Sequence, residues 1–307
     1  MNSNNNLFSK IGHTVSILSK LFIAIEPIQR IKTVTAYSKD LKVSRGTIQN
    51  SIKYLVDNEA IELESRGQLG TFLVKKDIIK LLKISGLNYI IGSMPLPYSK
   101  RYEGLSTAII KSIEKNLNLP INMSYMRGSK NRMEMVLSGR YDFTITSKFA
   151  ALDAIKYNDN LEIVKEFGPY SYLSRHVIMY TNENFEYIED GMIAALDKDS
   201  VDQEQLTLLA TKDKKVDFIY TSYTQLTENL LESKIDFAIW NGDELDNKHL
   251  NIKSKELNIN DSINTIAVIV IDKRRIEMKK IIQDYIDIEY VKNIQKQVVE
   301  NEIIPKY

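Results

Sequence analysis

Apolar residues recur at helical spacing from Phe8 to Glu26, with Val15, Leu18, Phe22 and Ile25 on one face, and Pro27 ends the run. Thr33 to Leu41 has the length of a short helix, and Lys42-Val43 connects it tightly to a third. There Ser44 supplies a capping hydroxyl, and Ile48, Ile52 and Leu55 fall at i, i+4 and i+7. That stripe turns Arg45, Thr47, Gln49, Asn50 and Lys53 outward, a face of donors and amides without a carboxylate. Alternation then replaces helical spacing. Ala60 to Glu64 and Thr71 to Val74 read as strands, joined by Ser65-Arg66-Gly67-Gln68-Leu69-Gly70, so the segment predicts a hairpin with a basic, glycine-bearing tip.

Asp77 to Ser85 is a short amphipathic segment stopped by Gly86, and residues 77–88 are expected to be a linker. From Asn88 onward, apolar strands alternate with helices, the signature of an α/β fold. Tyr89–Gly92, Ile121–Met126 and Tyr141–Thr146 predict strands, with helices over Tyr102–Leu117 and Asn131–Leu137. The stretch LSGRYDFTI from Leu137 to Ile145 is echoed by LESKIDFAI from Leu231 to Ile239. Strands at Ile121–Met126 and Val216–Thr221 precede the two copies at nearly the same offset. The echo predicts two similar lobes; the alternative is that helix-to-strand junctions converge on such a pattern. Extended segments at Ser174–Tyr180 and Thr265–Ile271 should join them, and final helices at Arg275–Ile288 and Tyr290–Asn301 should return to the first lobe.

These patterns support two resemblances. VSRGTIQNSIKYL followed by AIELESRGQLGTFL resembles the winged helix-turn-helix of GntR-type transcription regulators, whose recognition helix opens Ser-Arg-x-Thr and whose wing closes on Gly-Thr-Phe. Gln49 and Asn50 depart from it, standing where that family more often carries an arginine. The two lobes resemble a type 2 periplasmic-binding-protein fold. SMPLPYSKRYEGL from Ser93, together with GPYSYL from Gly168, resembles the YhfZ family of GntR-like regulators, which join a winged head to a binding-protein-like body.

The expected architecture is therefore α/β, with a winged helix-turn-helix over residues 1–76 and a two-lobed body over 89–307. Lobe 1 would take about 89–173 and 275–307, and lobe 2 about 174–274. The resemblance implies a DNA-binding regulator acting as a homodimer on a palindromic double-stranded operator. Arg45, Lys53 and Arg66 would hold phosphates or a groove, and Gln49 and Asn50 would read an adenine edge. Thr35, Ser44, Thr47, Gly67 and Gln68 complete the expected contact set. A winged helix serving as a protein-docking module is the competing reading.

Charge sharpens this division. Through residue 76 there are eleven Lys/Arg against six Asp/Glu, whereas the whole chain is only +1. A basic head on an acidic body suits DNA on one side only. The absence of cysteine excludes disulfides and thiolate chemistry and fits a cytoplasmic protein. The first residues predict no signal peptide, and the apolar stretch from Val15 to Ile25 is broken by Ser19-Lys20, so no membrane partner is expected.

Ligands of α/β sheets sit at the carboxyl ends of strands, where helices begin. The residues there are Ser93, Pro95 and Tyr98; Arg127, Gly128 and Ser129; Ser147 and Lys148; Lys198 and Ser200; Thr221 and Ser222; Trp240 and Asn241. Converging helix N-termini favour a small anionic effector, with Arg127 as its main grip and Lys148 and Lys198 as weaker partners. Taken singly, each Ser or Thr reads first as an ordinary helix cap, and Trp240 reads first as core. The competing reading is an enzyme on a binding-protein fold with an autoregulatory DNA-binding head, and for it the inventory is thin. His13, His176 and His249 lie far apart, no metal or cofactor motif is present, and only Asp197, Asp199 and His176 would offer acid–base chemistry.

Overall fold

A computed structural model describes residues 9–181, 184–248, 252–259 and 262–306; His249 lies outside them. The chain forms two compact units. The first runs to Ile90 and includes the short stretches Leu117–Pro120 and Arg275–Ile281, and the second holds the remainder.

In the first unit, α1 (Lys10–Ala24) is capped by the Ser9 hydroxyl, which accepts the Gly12 N–H at 3.0 Å. Thr33 caps α2 (Val34–Leu41), and Lys42, at φ +53°, turns the chain toward α3 (Arg45–Asp57). Strands β1 (Ile61–Ser65) and β2 (Thr71–Lys76) pair antiparallel as the wing, and a bridge from Arg30 to Phe72 adds a third stretch. Leu18, Phe22, Ile23, Ile48, Leu55 and Leu73 are fully buried and form the core. The segment expected to be a linker is instead a helix, α4 (Ile78–Ser85), packed along α1. Leu81 and Leu82 are buried, and the Ser16 hydroxyl donates to the Ser85 carbonyl at 2.8 Å. Its apolar face is too large to be left in water as a spacer.

The second unit contains two five-stranded sheets. The first is built from β3 (Ile90–Met94), β4 (Ile121–Tyr125), β5 (Phe143–Ser147) and β6 (Leu161–Glu166), with α5 (Lys100–Leu117), α6 (Ser129–Leu137) and α7 (Lys148–Tyr157) between them. The second comprises β7 (His176–Tyr180), β8 (Ile193–Leu196), β9 (Asp217–Tyr220), β10 (Phe237–Asn241) and β11 (Lys253–Glu256), with α8 (Val201–Ala210), α9 (Leu226–Leu231) and α10 (Gly242–Lys248). One strand, β12 (Ala267–Asp272), comes after these and returns to the first sheet, whose order is β4-β3-β5-β12-β6; the second reads β11-β7-β10-β8-β9.

The echo is a structural repeat. Gly92 pairs in parallel with Phe143, and Ala194 with Phe237. The Asp142 carboxylate accepts the Ile91 N–H at 2.7 Å, and Asp236 accepts that of Ile193 at 2.7 Å. In each lobe the strand beside the repeat arrives antiparallel from the other lobe, β12 against β5 and β7 against β10. This corrects the boundary expected near residue 274. All six residues of β12 are buried in the middle of the first sheet, so lobe 2 ends before Ala267. The last helices are α11 (Ile276–Tyr285) and α12 (Ile288–Val299). Gln295 on α12 donates to the carbonyls of Arg101 and Ser171 at 3.0 and 2.8 Å. Gly104 of α5 permits that approach, since a Cβ there would lie 2.9 Å from the Gln295 carbonyl.

Candidate functional site

On α3 the Ser44 hydroxyl accepts the Thr47 N–H at 3.1 Å and meets the Thr47 hydroxyl at 2.8 Å, so both are engaged in starting the helix. Ile48, Ser51 and Leu55 are buried while Ile52 is only half-buried, so the stripe is rotated slightly from expectation. Arg45, Gln49, Asn50 and Lys53 remain exposed, as do Thr35 and Gln68. In the wing, Gly67 (φ +55°) and Gly70 (φ +95°) form the tip. Arg66 donates to Glu64 at 2.7 Å, and its guanidinium lies 4.5 Å from the centre of the Phe72 ring. An exposed pair of this kind is weak enough to be exchanged for a phosphate.

In the second unit a cleft between the lobes holds about 760 Å³ of empty space, part of it open to solvent. Pro95, Leu96 and Tyr98, after β3, make one wall; Arg127, Gly128 and Ser129 lead into α6. The opposite wall comes from Asp197, Asp199, Ser200, Asp202 and Gln203, with Tyr223, Trp240, Asn241 and Glu244. Arg127 reaches Asp197 at 3.4 Å, and Lys130 donates to the Lys198 carbonyl at 3.2 Å. At Gly128 (φ +77°) the lobes come so close that a Cβ would lie 3.3 Å from Asp199.

Few of these polar groups are idle. The Asp197 carboxylate accepts the Asp199 and Tyr223 N–H groups at 2.9 and 2.7 Å, which holds its loop. Asp202 accepts from Ser147 at 2.7 and 2.8 Å and from Asn264 at 2.6 Å. Burial raises its pKa above the usual carboxylate range, opposed by the Ser147 hydrogen bond and the nearby His176, Asn264 and Arg132. Arg132 is 3% exposed and donates to the Met126 carbonyl at 2.8 Å; burial lowers its pKa. The Arg132 Nε and the Ser129 hydroxyl are buried without a hydrogen-bond partner. Tyr223 stacks on Trp240 at 4.2 Å, and burial pushes its hydroxyl well above the normal tyrosine pKa.

Of the residues expected at the strand ends, Pro95, Tyr98, Arg127, Gly128, Ser129, Ser200, Trp240 and Asn241 line the cleft. The others are placed elsewhere. Ser93 is buried in β3 with its hydroxyl toward the Phe143 carbonyl. Ser147 caps α7 and holds Asp202, and Lys148 pairs with Glu166 at 2.9 Å. Lys198 lies 3.8 Å over the Tyr220 ring, and Thr221 and Ser222 bond to Gln225. Missed were Arg132, one turn into α6, and Asp202, Gln203 and Glu244 inside α8 and α10. Helical spacing from Ser129 to Arg132 and from Ser200 to Gln203 was the available signal. Asp197, Asp199 and His176 do line the cleft. Among the described residues, no group of three or more metal-ligating side chains occurs and no helix is long and apolar enough to cross a membrane.

A helix-turn-helix head and a two-lobed, binding-protein-like body define the class: a two-part, DNA-binding protein. The chain belongs to the YhfZ family, whose C-terminal-domain description matches residues 77–307, and a helix-turn-helix domain matches residues 29–73. It is 28% identical to the protein YhfZ of Escherichia coli (strain K12) over 232 residues, 76% of this chain and 75% of that one. The crystal structure of YhfZ from Shigella flexneri is 27% identical, with a TM-score of 0.61 over 75% of this chain and 97% of the other. The substrate-binding protein of a methionine transporter from Streptococcus pneumoniae shares the fold at 14% identity, with a TM-score of 0.52 over 72% and 96%.

Proposed function

We propose that this protein is a one-component transcription regulator whose operator affinity is set by a small effector carrying an anionic group. The observation that carries the DNA half is the outward face of α3, where Arg45, Gln49, Asn50 and Lys53 are exposed together. A helix with that face, followed by a wing, fits the major groove, with cations on phosphates and amides on base edges. The effector half is supported by the cleft, where Ser129 at the start of α6, Arg127 and Arg132 offer donors and positive charge. Closure of the lobes on a ligand would change the spacing of paired heads in a homodimer, with a coupling of about 1–3 kcal/mol between the sites. The site is read as a cytoplasmic sensor rather than an active site, because both Asp197 oxygens already accept backbone N–H groups, one from Asp199 in its own loop and one from Tyr223 in the loop after β9.

Operator selection with the full chain and with Gln49→Arg tests the DNA half. Glutamine favours an adenine edge and arginine a guanine, so the variant should shift one base pair of each half-site toward G·C, by about 1–3 kcal/mol of discrimination. Identical preferences for the two proteins would remove α3 from base readout.

A further inference from the structure

We infer that the ligand of the cleft is a zwitterion, a small molecule with one anionic group held by lobe 1 and one protonated amine held by lobe 2. This rests on the effector reading above and narrows it, because the ionised side chains around the cleft are segregated by lobe. Both guanidiniums, Arg127 and Arg132, come from lobe 1, whereas Asp197, Asp199, Asp202 and Glu244 all come from lobe 2. A purely anionic ligand would face four carboxylates across the cleft, and a purely cationic one would face two guanidiniums and the positive end of α6.

The anionic arm is a built site. The Ser129 hydroxyl and the Arg132 Nε are each more than nine-tenths buried, line the cleft and have no hydrogen-bond partner. Leaving two donors buried in this way is costly unless an acceptor completes them. They sit at the first residue and the first turn of a nine-residue helix whose cap, Gly128, has no side chain to offer. A carboxylate seated there would accept from both, with Arg127 released from its long 3.4 Å contact to Asp197.

The opposite arm suits an ammonium group. Asp197 and Asp202 are occupied by N–H, hydroxyl and amide donors within the protein. Glu244, 1% exposed, lies instead among aromatic rings and hydrogen-bonds to the Tyr223 hydroxyl. Tyr223 stacks on Trp240, and Tyr98 lies 6.3 Å away. A carboxylate beside a stacked pair of electron-rich rings recognises a protonated amine by charge, and the rings add cation–π attraction. It has no comparable use for a second anion.

Thermal stability of the full-length protein, titrated with the free α-amino acids, tests this. Each binder is compared with its N-acetyl form, which lacks the cation, and its carboxamide, which lacks the anion. The expected result is stabilisation by at least one amino acid and about tenfold or more weaker binding of both derivatives, the effect of losing one charge-assisted hydrogen bond. Glu244→Gln should weaken the free amino acid but leave the N-acetyl form unchanged, and Ser129→Ala should weaken the free amino acid but leave the carboxamide unchanged. An N-acetyl form that binds as well as its parent overturns the cationic arm. No stabilisation by any amino acid overturns the zwitterion altogether. Dicarboxylates and sugar phosphates in the same assay separate the two readings: stabilisation by one of these alone keeps an effector cleft and removes the zwitterion. If none of these compounds stabilises and native mass spectrometry finds no co-purified small molecule, both readings fall.

Discussion

The two lobes of the body are built on one frame and finished differently. Each has a parallel pair of strands in which an aspartate accepts the neighbouring strand's N–H, Asp142 for Ile91 and Asp236 for Ile193, followed by a phenylalanine, Phe143 or Phe237. Each receives an antiparallel strand from its partner lobe. The ends of those strands diverge. After the first strand, lobe 1 has Pro95-Leu96-Pro97-Tyr98, while lobe 2 has Asp197-Lys198-Asp199-Ser200. The frame solves a backbone problem that both sheets share: a part-buried N–H near the start of an interior strand needs an acceptor. The strand ends line the cleft, and a ligand with unlike ends, as proposed above, would favour unlike walls.

If the aspartates are equivalent, removing either should cost the same. Asp142→Ala and Asp236→Ala should each destabilise their own lobe by about 1.5–3 kcal/mol, the value of a hydrogen bond to a charged group together with the N–H left behind. Hydrogen exchange of the sheet amides, resolved by lobe, reads this out. A silent substitution in one lobe would break the equivalence.

The next effect separates the lobes. Opposite the phenylalanine, lobe 1 has Gly92 and lobe 2 has Ala194. The Phe143 ring lies where a Gly92 side chain would go, 2.3 Å from its Cβ position. Gly92→Ala should therefore cost about 1–3 kcal/mol through overpacking. Ala194→Gly should cost about 0.5–1 kcal/mol through added chain freedom. Denaturant titration of each variant ranks them, and equal losses would mean that the Phe143 ring swings aside at no cost.

Local pattern carried the sequence reading as far as local pattern reaches. The head's helices, its wing and the repeat were legible because caps, apolar spacing and the Asp-Phe pair are short-range signals. The α4 segment misled because an amphipathic helix has the same sequence whether it spaces two domains or packs on one. The place of β12 was hidden for a related reason. TIAVIVI states that a strand is buried, not which sheet buries it. In the cleft, attention to strand ends found Arg127, Gly128 and Ser129 but passed over Arg132, Asp202 and Glu244, which lie within helices. Lys148 and Lys198 lie off the cleft lining, since a lysine's reach allows many partners and Glu166 and the Tyr220 ring hold them.

The smallest effect tests how the lobes are held together. Asp202 belongs to lobe 2, yet one of its donors, Ser147, belongs to lobe 1. Burial raises its pKa, so the folded protein binds this proton more tightly than the unfolded chain does. Its favourable contribution is therefore complete below the unfolded carboxyl value of about 4 and is lost as pH rises through the higher folded value. Asparagine keeps the acceptor oxygen to which Ser147 and Asn264 both donate, and carries no charge to bury. Asp202→Asn should match the parent in acid and become the more stable of the two as pH rises toward neutrality, by a few degrees in melting temperature at most, a difference of under about 1 kcal/mol. Should the variant instead be the less stable at neutral pH, the groups that favour its charged form, the Ser147 and Asn264 donors with His176 and Arg132, outweigh its burial, and the charged form of Asp202 is what holds the lobes together.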